Sequence, residues 1–126
     1  MFRAIAHQAY GDEDLHRMIR DKVMDYILHE KEYFKDFIEG GNVEDYVARK
    51  KLNGTWGDDV EIQALSEIYN RPIEIYAYSN QPMRTFHELV SSKDPFRLSY
   101  HGQSHYNSIV SKDWNYEKCF INEQPG

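Results

Sequence analysis

The sequence is poor in cysteine and in clustered basic charge, and it has no long apolar run. Cys119 is its only cysteine, so no internal disulfide can form. Acidic residues outnumber basic ones, 21 to 15, which argues against nucleic acid as the main partner because clustered Lys and Arg bind phosphate backbones. No apolar stretch approaches the roughly 18 residues that span a bilayer, and no apolar signal-peptide core follows Met1. We therefore expect a monomer of the cytoplasm or nucleus that binds neither nucleic acid nor membrane.

The composition is that of one packed domain. Of the 126 residues, 40% are hydrophobic and 14% are aromatic, which is enough apolar material for a single core at this length. We expect the folded domain to span residues 1–111 and residues 112–126 to form a C-terminal tail with a frayed end.

Helical periodicity and capping residues dominate the first half of the sequence. Asp12 and Asn42 are predicted N-caps, Asp58 with Glu61 has the spacing of a capping box, and Pro72 stops the last helix. The predicted helices run from Phe2 to Gly11, from Glu13 to about His29, from Tyr33 to the Gly40-Gly41 pair, from Val43 to about Lys51, and from Asp58 to Asn70.

The second half is rich in alternating, β-branched and aromatic segments, which favour strands. The predicted strands are Ile73 to Tyr78, Thr85 to Leu89, Phe96 to His101 and His105 to Ser111, and the last two form a hairpin. This order predicts an α+β fold, with a three-layer α/β/α-like arrangement of N-terminal helices around a small, mainly antiparallel sheet.

The histidines are the first candidates for chemistry. His7, His16 and His29 lie on helical segments beside charged residues, and we expect them to be exposed. His101 and His105 are four residues apart, which suggests zinc. A structural zinc site needs four ligands that usually include cysteine pairs, so no metal site is expected here.

His105 is the strongest candidate because it opens a predicted strand directly after a turn. Asn107 follows two residues later, so both side chains lie on the same face of that strand. An Asn beside a catalytic imidazole fixes its tautomer and directs the other ring nitrogen at a nucleophile. The spacing alone leaves open the alternative, a structural histidine at a strand end.

The sequence offers no good nucleophile for that histidine. Cys119 lies in the irregular tail, with no predicted helix N-terminus to make its thiol reactive. The serines inside predicted elements lack the sharp turn of a nucleophile elbow. The helix that starts at Phe2 has no capping residue before it, and a helix N-terminus favours a reactive cysteine. We therefore expect a natural domain to begin upstream of Met1.

Three separated segments together resemble the OTU (ovarian tumour) family of deubiquitinases. The family's nucleophile motif, Asp-Gly-x-Cys and then Leu or Met, Phe, Arg and Ala, matches Met1-Phe2-Arg3-Ala4 in its second half. Its central Gly-x-x-x-Glu-x-x-Ala motif, often preceded by Trp, matches Trp56 to Ala64, and its His-Tyr-Asn motif matches His105-Tyr106-Asn107. Order and spacing fit from Met1 to about Val110, and the connecting segments resemble the DUBA-like branch.

The resemblance implies a cysteine-dependent deubiquitinase that removes ubiquitin or polyubiquitin chains from proteins without a metal or an organic cofactor. His105 matches the general base, and Asn107 matches the position that orients this histidine in some members. In the DUBA-like branch an Asp upstream of the cysteine has that role. Trp56 and Gly57 match the loop beside the channel for the ubiquitin tail, although Trp56 also suits a core aromatic. We expect Glu61 to be a capping-box partner rather than a substrate contact.

The family's Asp and Cys would precede Met1 in the matching frame. We therefore expect the chain as given to be truncated and inactive. Two alternatives remain open, a non-catalytic ubiquitin-binding module on the same scaffold and an unrelated α+β scaffold domain.

Overall fold

The computed structural model describes residues 1–52, 58–77, 81–86, 94–101 and 105–110, without the side chains of His101 and His105. In these ranges the helices are α1 (Phe2–Tyr10), α2 (His16–His29), α3 (Lys31–Phe34), α4 (Val43–Lys50) and α5 (Asp59–Tyr69). The strands are β1 (Ile73–Tyr76), β2 (Arg84–Phe86), β3 (Phe96–His101) and β4 (His105–Ser108). Short 3-10 turns at Glu13–Leu15, Lys35–Phe37 and Glu39–Gly41 join the first helices.

Local signals set the ends of α1, α4 and α5 close to where the sequence predicts them. The other two predicted helices differ, because Asp12 caps the 3-10 turn before α2, and the predicted helix from Tyr33 to Gly41 is the short α3 followed by 3-10 turns. α1 ends at Gly11, whose φ of 71° lies in the left-handed region that glycine adopts without strain. Asn42 begins α4 by accepting a hydrogen bond from the backbone N–H of Asp45 at 3.0 Å. At α5, Asp58 and Glu61 form the predicted capping box. These bonds satisfy backbone groups that a helix end would otherwise leave unpaired.

The strands form one four-stranded sheet in the order β2-β1-β3-β4. The β1–β2 and β3–β4 pairs are antiparallel, so the predicted hairpin of β3 and β4 is confirmed. The central pair, β1 and β3, is parallel, a pairing that the sequence did not predict. The α+β fold with a mainly antiparallel sheet is therefore confirmed. β3 has the predicted bounds, and β2 begins one residue earlier than predicted, at Arg84. β1 and β4 end sooner than predicted, since Ala77, Ile109 and Val110 are not in strands. The remaining predicted strand positions, 78, 87–89 and 111, lie outside the described residues.

The core lies where the helices meet one face of the sheet. Ile73 and Ile75 on β1 and Phe96 and Leu98 on β3 are buried, while residues between them are half-buried or exposed. Tyr69 of α5 packs edge-on against Phe96, with ring centroids 5.7 Å apart. Burying each such side chain contributes roughly 1.5–3 kcal/mol to folding.

α2 connects the rest of the helical layer. It contacts α1, α4 and α5 and buries one apolar stripe, Ile19, Val23 and Ile27. Within the described ranges, every helix is too short or too polar to span a bilayer. The predicted tail at residues 112–126 lies outside the described residues.

Candidate active site

Two sets of side-chain hydrogen bonds fix α1 against the β3–β4 hairpin. His7 Nδ1 lies 2.9 Å from the hydroxyl oxygen of Ser108 in β4. The side-chain amide of Gln8 bonds to both backbone groups of Arg97, donating to its carbonyl at 2.6 Å and accepting from its N–H at 2.9 Å. The first predicted motif therefore lies on a helix held against the strand that carries His105.

The prediction that the helix histidines are exposed is wrong for His7 and His16. Both are half-buried, and only His29 of the three is exposed. His7 faces β4 because the side of α1 that carries it packs on the sheet. Burial, with Arg3 and Arg20 nearby, lowers the pKa of His16.

The start of α5 lies within electrostatic reach of the same strand. Burial first, and then the negative charge of Asp59, raises the pKa of Tyr106 in β4 to about 12. The Tyr106 ring packs against Tyr100 of β3, with centroids 4.9 Å apart. Arg84 of β2 donates to the Asp59 carboxylate at 2.7 Å, which fixes the first turn of α5 over the sheet. α1, which carries the first motif, thus packs on β4, and the start of α5 lies within electrostatic reach of that strand.

The backbone places the predicted catalytic pair on β4. His105 pairs with His101 and Asn107 pairs with Ser99 across the antiparallel ladder. The alternation of the strand puts His105 and Asn107 on one face, and Asn107 is exposed. The side chain of His105 lies outside the described structure, so its catalytic role and that of Asn107 stay predictions.

The other predicted site residues fall outside the description. Trp56, Gly57 and Cys119 lie in residues that the structure does not describe, so the substrate-channel prediction is untested. Across the described ranges, no three His, Cys, Asp or Glu side chains are grouped as metal ligands would be.

The N-terminus of α1 has a positive electrostatic environment. Met1 is the N-cap residue, and no side chain caps it. Burial, then the charges of Arg20 and Arg3, lowers the pKa of the Met1 α-ammonium group to about 6. Arg20 is itself buried, with its guanidinium 4.5 Å from the centre of the Phe2 ring. A positive charge is therefore disfavoured at this helix end, whereas the two arginines and the helix dipole attract a negative one.

Glu61, four positions after Gly57 of the central motif, has a buried carboxylate. It is 0% exposed and accepts hydrogen bonds from the Tyr46 hydroxyl and from the Asp58 N–H, both at 2.6 Å. Its predicted role as a capping-box partner is confirmed. Sequence reasoning missed Tyr46 and Lys50 of α4, because nothing in their local pattern indicates a partner on another helix.

Known proteins are similar to this chain in sequence. A sequence model of the family described as OTU-like cysteine protease matches residues 1–108. The OTU domain-containing protein 5 of Rattus norvegicus is 43% identical over 112 residues, which cover 88% of this chain and 20% of that relative. The OVARIAN TUMOR DOMAIN-containing deubiquitinating enzyme 6 of Arabidopsis thaliana is 46% identical over 111 residues, which cover 87% of this chain and 22% of that relative. The chain thus spans about a fifth of the length of these curated relatives.

A solved structure has the same fold. The OTU domain of OTUD1 matches with a TM-score of 0.75 at 26% sequence identity, covering 87% of this chain and 77% of that one. The match supports the helix order and the mixed sheet described above.

Proposed function

The chain belongs to the OTU-like cysteine protease family, and on this basis we propose that it forms most of a cysteine-type deubiquitinase domain. The observation that carries the proposal is the packing of α1, which begins in the first motif, against β4, which carries the third. The 46% identity with an Arabidopsis relative named as a deubiquitinating enzyme supports ubiquitin as the group that is removed.

The nucleophile is a cysteine that precedes Met1, as in the family's first motif. His105 accepts the thiol proton, and the resulting thiolate adds to the carbonyl carbon of the last glycine of ubiquitin. The tetrahedral intermediate expels the lysine amine, which takes that proton from His105, and leaves a thioester. His105 then removes a proton from water, which attacks the thioester, and the thiolate leaves with the proton returned to it.

The environment of α1 supports a thiolate at this place. A cysteine directly before Met1 would lie at the start of α1, near Arg20 and Arg3, whose charges already act on the Met1 amine. Burial disfavours any charge there, but both arginines and the helix dipole favour an anion over a cation. Asn107 orients His105 in a secondary role, with an Asp upstream of the cysteine as the main orienting group.

Ubiquitin contacts lie on the acidic stretch from Glu30 to Asp45. The binding face and tail of ubiquitin carry arginines, and the stretch presents exposed carboxylates beside the exposed rings of Tyr33 and Phe37, 46% and 53% accessible. Part of the charge is neutralised locally, since Lys35 lies 2.8 Å from Glu32. The alternative is a merely solvated helical surface.

A ubiquitin probe that captures active-site thiols tests the proposal. The chain from Met1 should not be labelled, since removal of the nucleophile from a comparable triad costs on the order of 10⁶ in turnover. A protein extended upstream by the segment bearing Asp-Gly-x-Cys should be labelled at that cysteine. If the unextended chain is labelled and Cys119→Ser blocks the labelling, the nucleophile is Cys119 and its proposed position before Met1 is wrong. Binding of ubiquitin by the extended protein without labelling would favour a non-catalytic module instead.

A further inference from the structure

We infer that Glu61 is a positioning residue, whose buried carboxylate holds the end of α4 and the start of α5 at a fixed separation. The chain between these two helix ends includes the segment of residues 53–57, which contains Trp56 and Gly57. The inference rests on the proposed function in one respect, that the domain binds the ubiquitin tail, and the resemblance to the OTU family implies that Trp56 and Gly57 lie beside that tail.

The two oxygens of Glu61 contact different helix ends. Oε2 accepts the backbone N–H of Asp58, the N-cap residue of α5, at 2.6 Å. Oε1 accepts the hydroxyl of Tyr46 in α4, also at 2.6 Å. The ammonium group of Lys50, the last residue of α4, lies 4.0 Å from the same oxygen and 3.8 Å from the Asp58 carboxylate. One carboxylate therefore joins the residues on either side of the 53–57 segment.

In an ordinary capping box, the side chain at the N3 position accepts only the backbone N–H of the N-cap residue, while the N-cap side chain accepts the N3 N–H. Glu61 is fully buried, and a buried carboxylate is costly unless charge-assisted hydrogen bonds compensate it. The additional bond from Tyr46 and the approach of Lys50 supply that compensation across two helices. Glu61 thus does more than begin α5.

Arg20 extends the same connection to α1. Its guanidinium Nη1 donates to the carbonyl oxygen of Lys50 at 2.8 Å, and its charge acts on Glu61. The same guanidinium packs over Phe2 at the start of α1. The ends of α4 and α5 are therefore fixed relative to the start of α1, which directly follows the proposed nucleophile.

Glu67 provides a matched control on the same helix. Its carboxylate accepts bonds from Tyr26 at 2.8 Å and from Gln63 at 2.7 Å, away from the 53–57 segment. Glu61→Gln and Glu67→Gln therefore make the same chemical change on α5: each replaces one of two acceptor oxygens by an NH2 donor, so one oxygen remains for a tyrosine and a second donor.

Hydrogen exchange tests the positioning without any activity. In the chain as given, Glu61→Gln should speed exchange at Asp58 and in the last turn of α4 by about tenfold, because a hydrogen bond to a charged group is lost. Glu67→Gln should leave exchange there unchanged. Tyr46→Phe, which keeps the carboxylate and removes one donor, should show the same pattern more weakly. Equal exchange in all variants would overturn the inference.

Kinetic measurements on the domain extended upstream of Met1 test whether Glu61 affects the binding of ubiquitin. With a fluorogenic ubiquitin amide, Glu61→Gln should raise KM about fivefold with kcat changed less than about twofold, while Glu67→Gln changes neither. Measurements are made where circular dichroism shows each variant folded. Faster exchange without a change in KM would overturn the inference, because Glu61 would then only stabilise the fold. If the unsubstituted extended domain is not labelled by the ubiquitin probe, the proposed function fails, and hydrogen exchange still decides whether Glu61 fixes the helix ends.

Discussion

His7 Nδ1 and the hydroxyl oxygen of Ser108 are 2.9 Å apart, although the two residues are 101 positions apart in the sequence. This contact joins the helix that follows the proposed nucleophile to the strand that carries His105. Its neighbour Gln8 bonds to both backbone groups of Arg97, so α1 is attached to two adjacent strands. The relative position of the proposed nucleophile and base therefore depends on how firmly α1 packs on β4.

Removal of the Ser108 hydroxyl should weaken this attachment. Ser108→Ala should lower the free energy of unfolding by about 1 kcal/mol, the usual net contribution of one hydrogen bond, as measured by urea denaturation. In the extended domain it should also slow probe labelling severalfold, because α1 and β4 are less well aligned. Ser66→Ala is the control, since the Ser66 hydroxyl bonds to the Gln63 carbonyl within α5. Labelling slowed equally by both substitutions would contradict a specific role for the α1–β4 contact.

The lowered pKa of the Met1 amine predicts a pH-dependent stability for protein prepared with Met1 as its first residue. The pKa is about 6 in the folded chain and 8.0 as the ordinary value, so between these pH values the unfolded chain binds more protons. The free energy of unfolding should therefore rise from pH 6 to pH 8, by up to about 2 kcal/mol, and this contribution is lost as pH falls from 8 through 6.

N-terminal acetylation isolates the Met1 effect. The lowered pKa of His16 acts in the same direction, so the pH slope alone does not identify the group. The acetylated protein has no titrating amine and should show a shallower rise in urea denaturation between pH 6 and 8. Identical slopes with and without acetylation would show that the amine is not buried near Arg20 and Arg3.

Local chemistry explains why the helix ends could be predicted from the sequence. Asn42 and Asp58 bond to backbone groups within three positions, so a short window of sequence contains both partners. Gly11 and Asn70 end their helices with positive φ values of 71° and 50°, which these residue types tolerate. The alternation Ile73-Glu74-Ile75-Tyr76 likewise predicts the half-buried strand that is observed.

Long-range pairing explains what could not be predicted. Nothing in β1 or β3 alone indicates that they pair in parallel, because the pairing depends on the path of the chain between them. The bonds from Gln8 to Arg97 and from Tyr46 to Glu61 join residues whose local patterns are ordinary. His7 was expected to be exposed, as a histidine on a helical segment with charged residues, yet it is half-buried against β4. The candidate site was located through family motifs, and the residues that hold its elements together became apparent only in the fold.

Charge reversal in the acidic stretch should slow ubiquitin binding. Asp36 and Glu39 are exposed, and their replacement by Lys removes attraction for the basic face of ubiquitin. The double substitution in the extended domain should lower the association rate and weaken its dependence on salt. Stopped-flow measurements at two ionic strengths give both quantities.

The control for this variant reverses the same number of charges elsewhere. Asp21 and Asp25 of α2 lie outside the acidic stretch and form ion pairs with Arg17 and Lys51, 3.5 and 3.7 Å apart. Their replacement by Lys changes the net charge equally and should affect association less. If both double variants bind ubiquitin alike, only the overall charge matters and the acidic stretch is a solvated surface.

The proposed base and its partner should differ sharply in their contributions to catalysis. In the extended domain, His105→Ala should abolish turnover, a loss on the order of 10³-fold or more, because no other group accepts the thiol proton. Asn107→Ala should cost about tenfold, since an Asp upstream of the cysteine is the main orienting group. Asn107 is exposed on β4, so its replacement should leave the free energy of unfolding nearly unchanged.

Alkylation of the upstream cysteine across pH separates these roles from a general loss of structure. An imidazolium beside a thiolate stabilises it, so His105→Ala should raise the pKa of that thiol toward the ordinary value of about 8.5. Asn107→Ala keeps the imidazole and should shift the thiol pKa only slightly. If Asn107→Ala costs as much turnover as His105→Ala, then Asn107 is the main orienting group. If His105→Ala retains turnover and leaves the thiol pKa unchanged, the base has been assigned to the wrong histidine. The imidazole of His105 would then neither stabilise the thiolate nor accept the proton of the thiol.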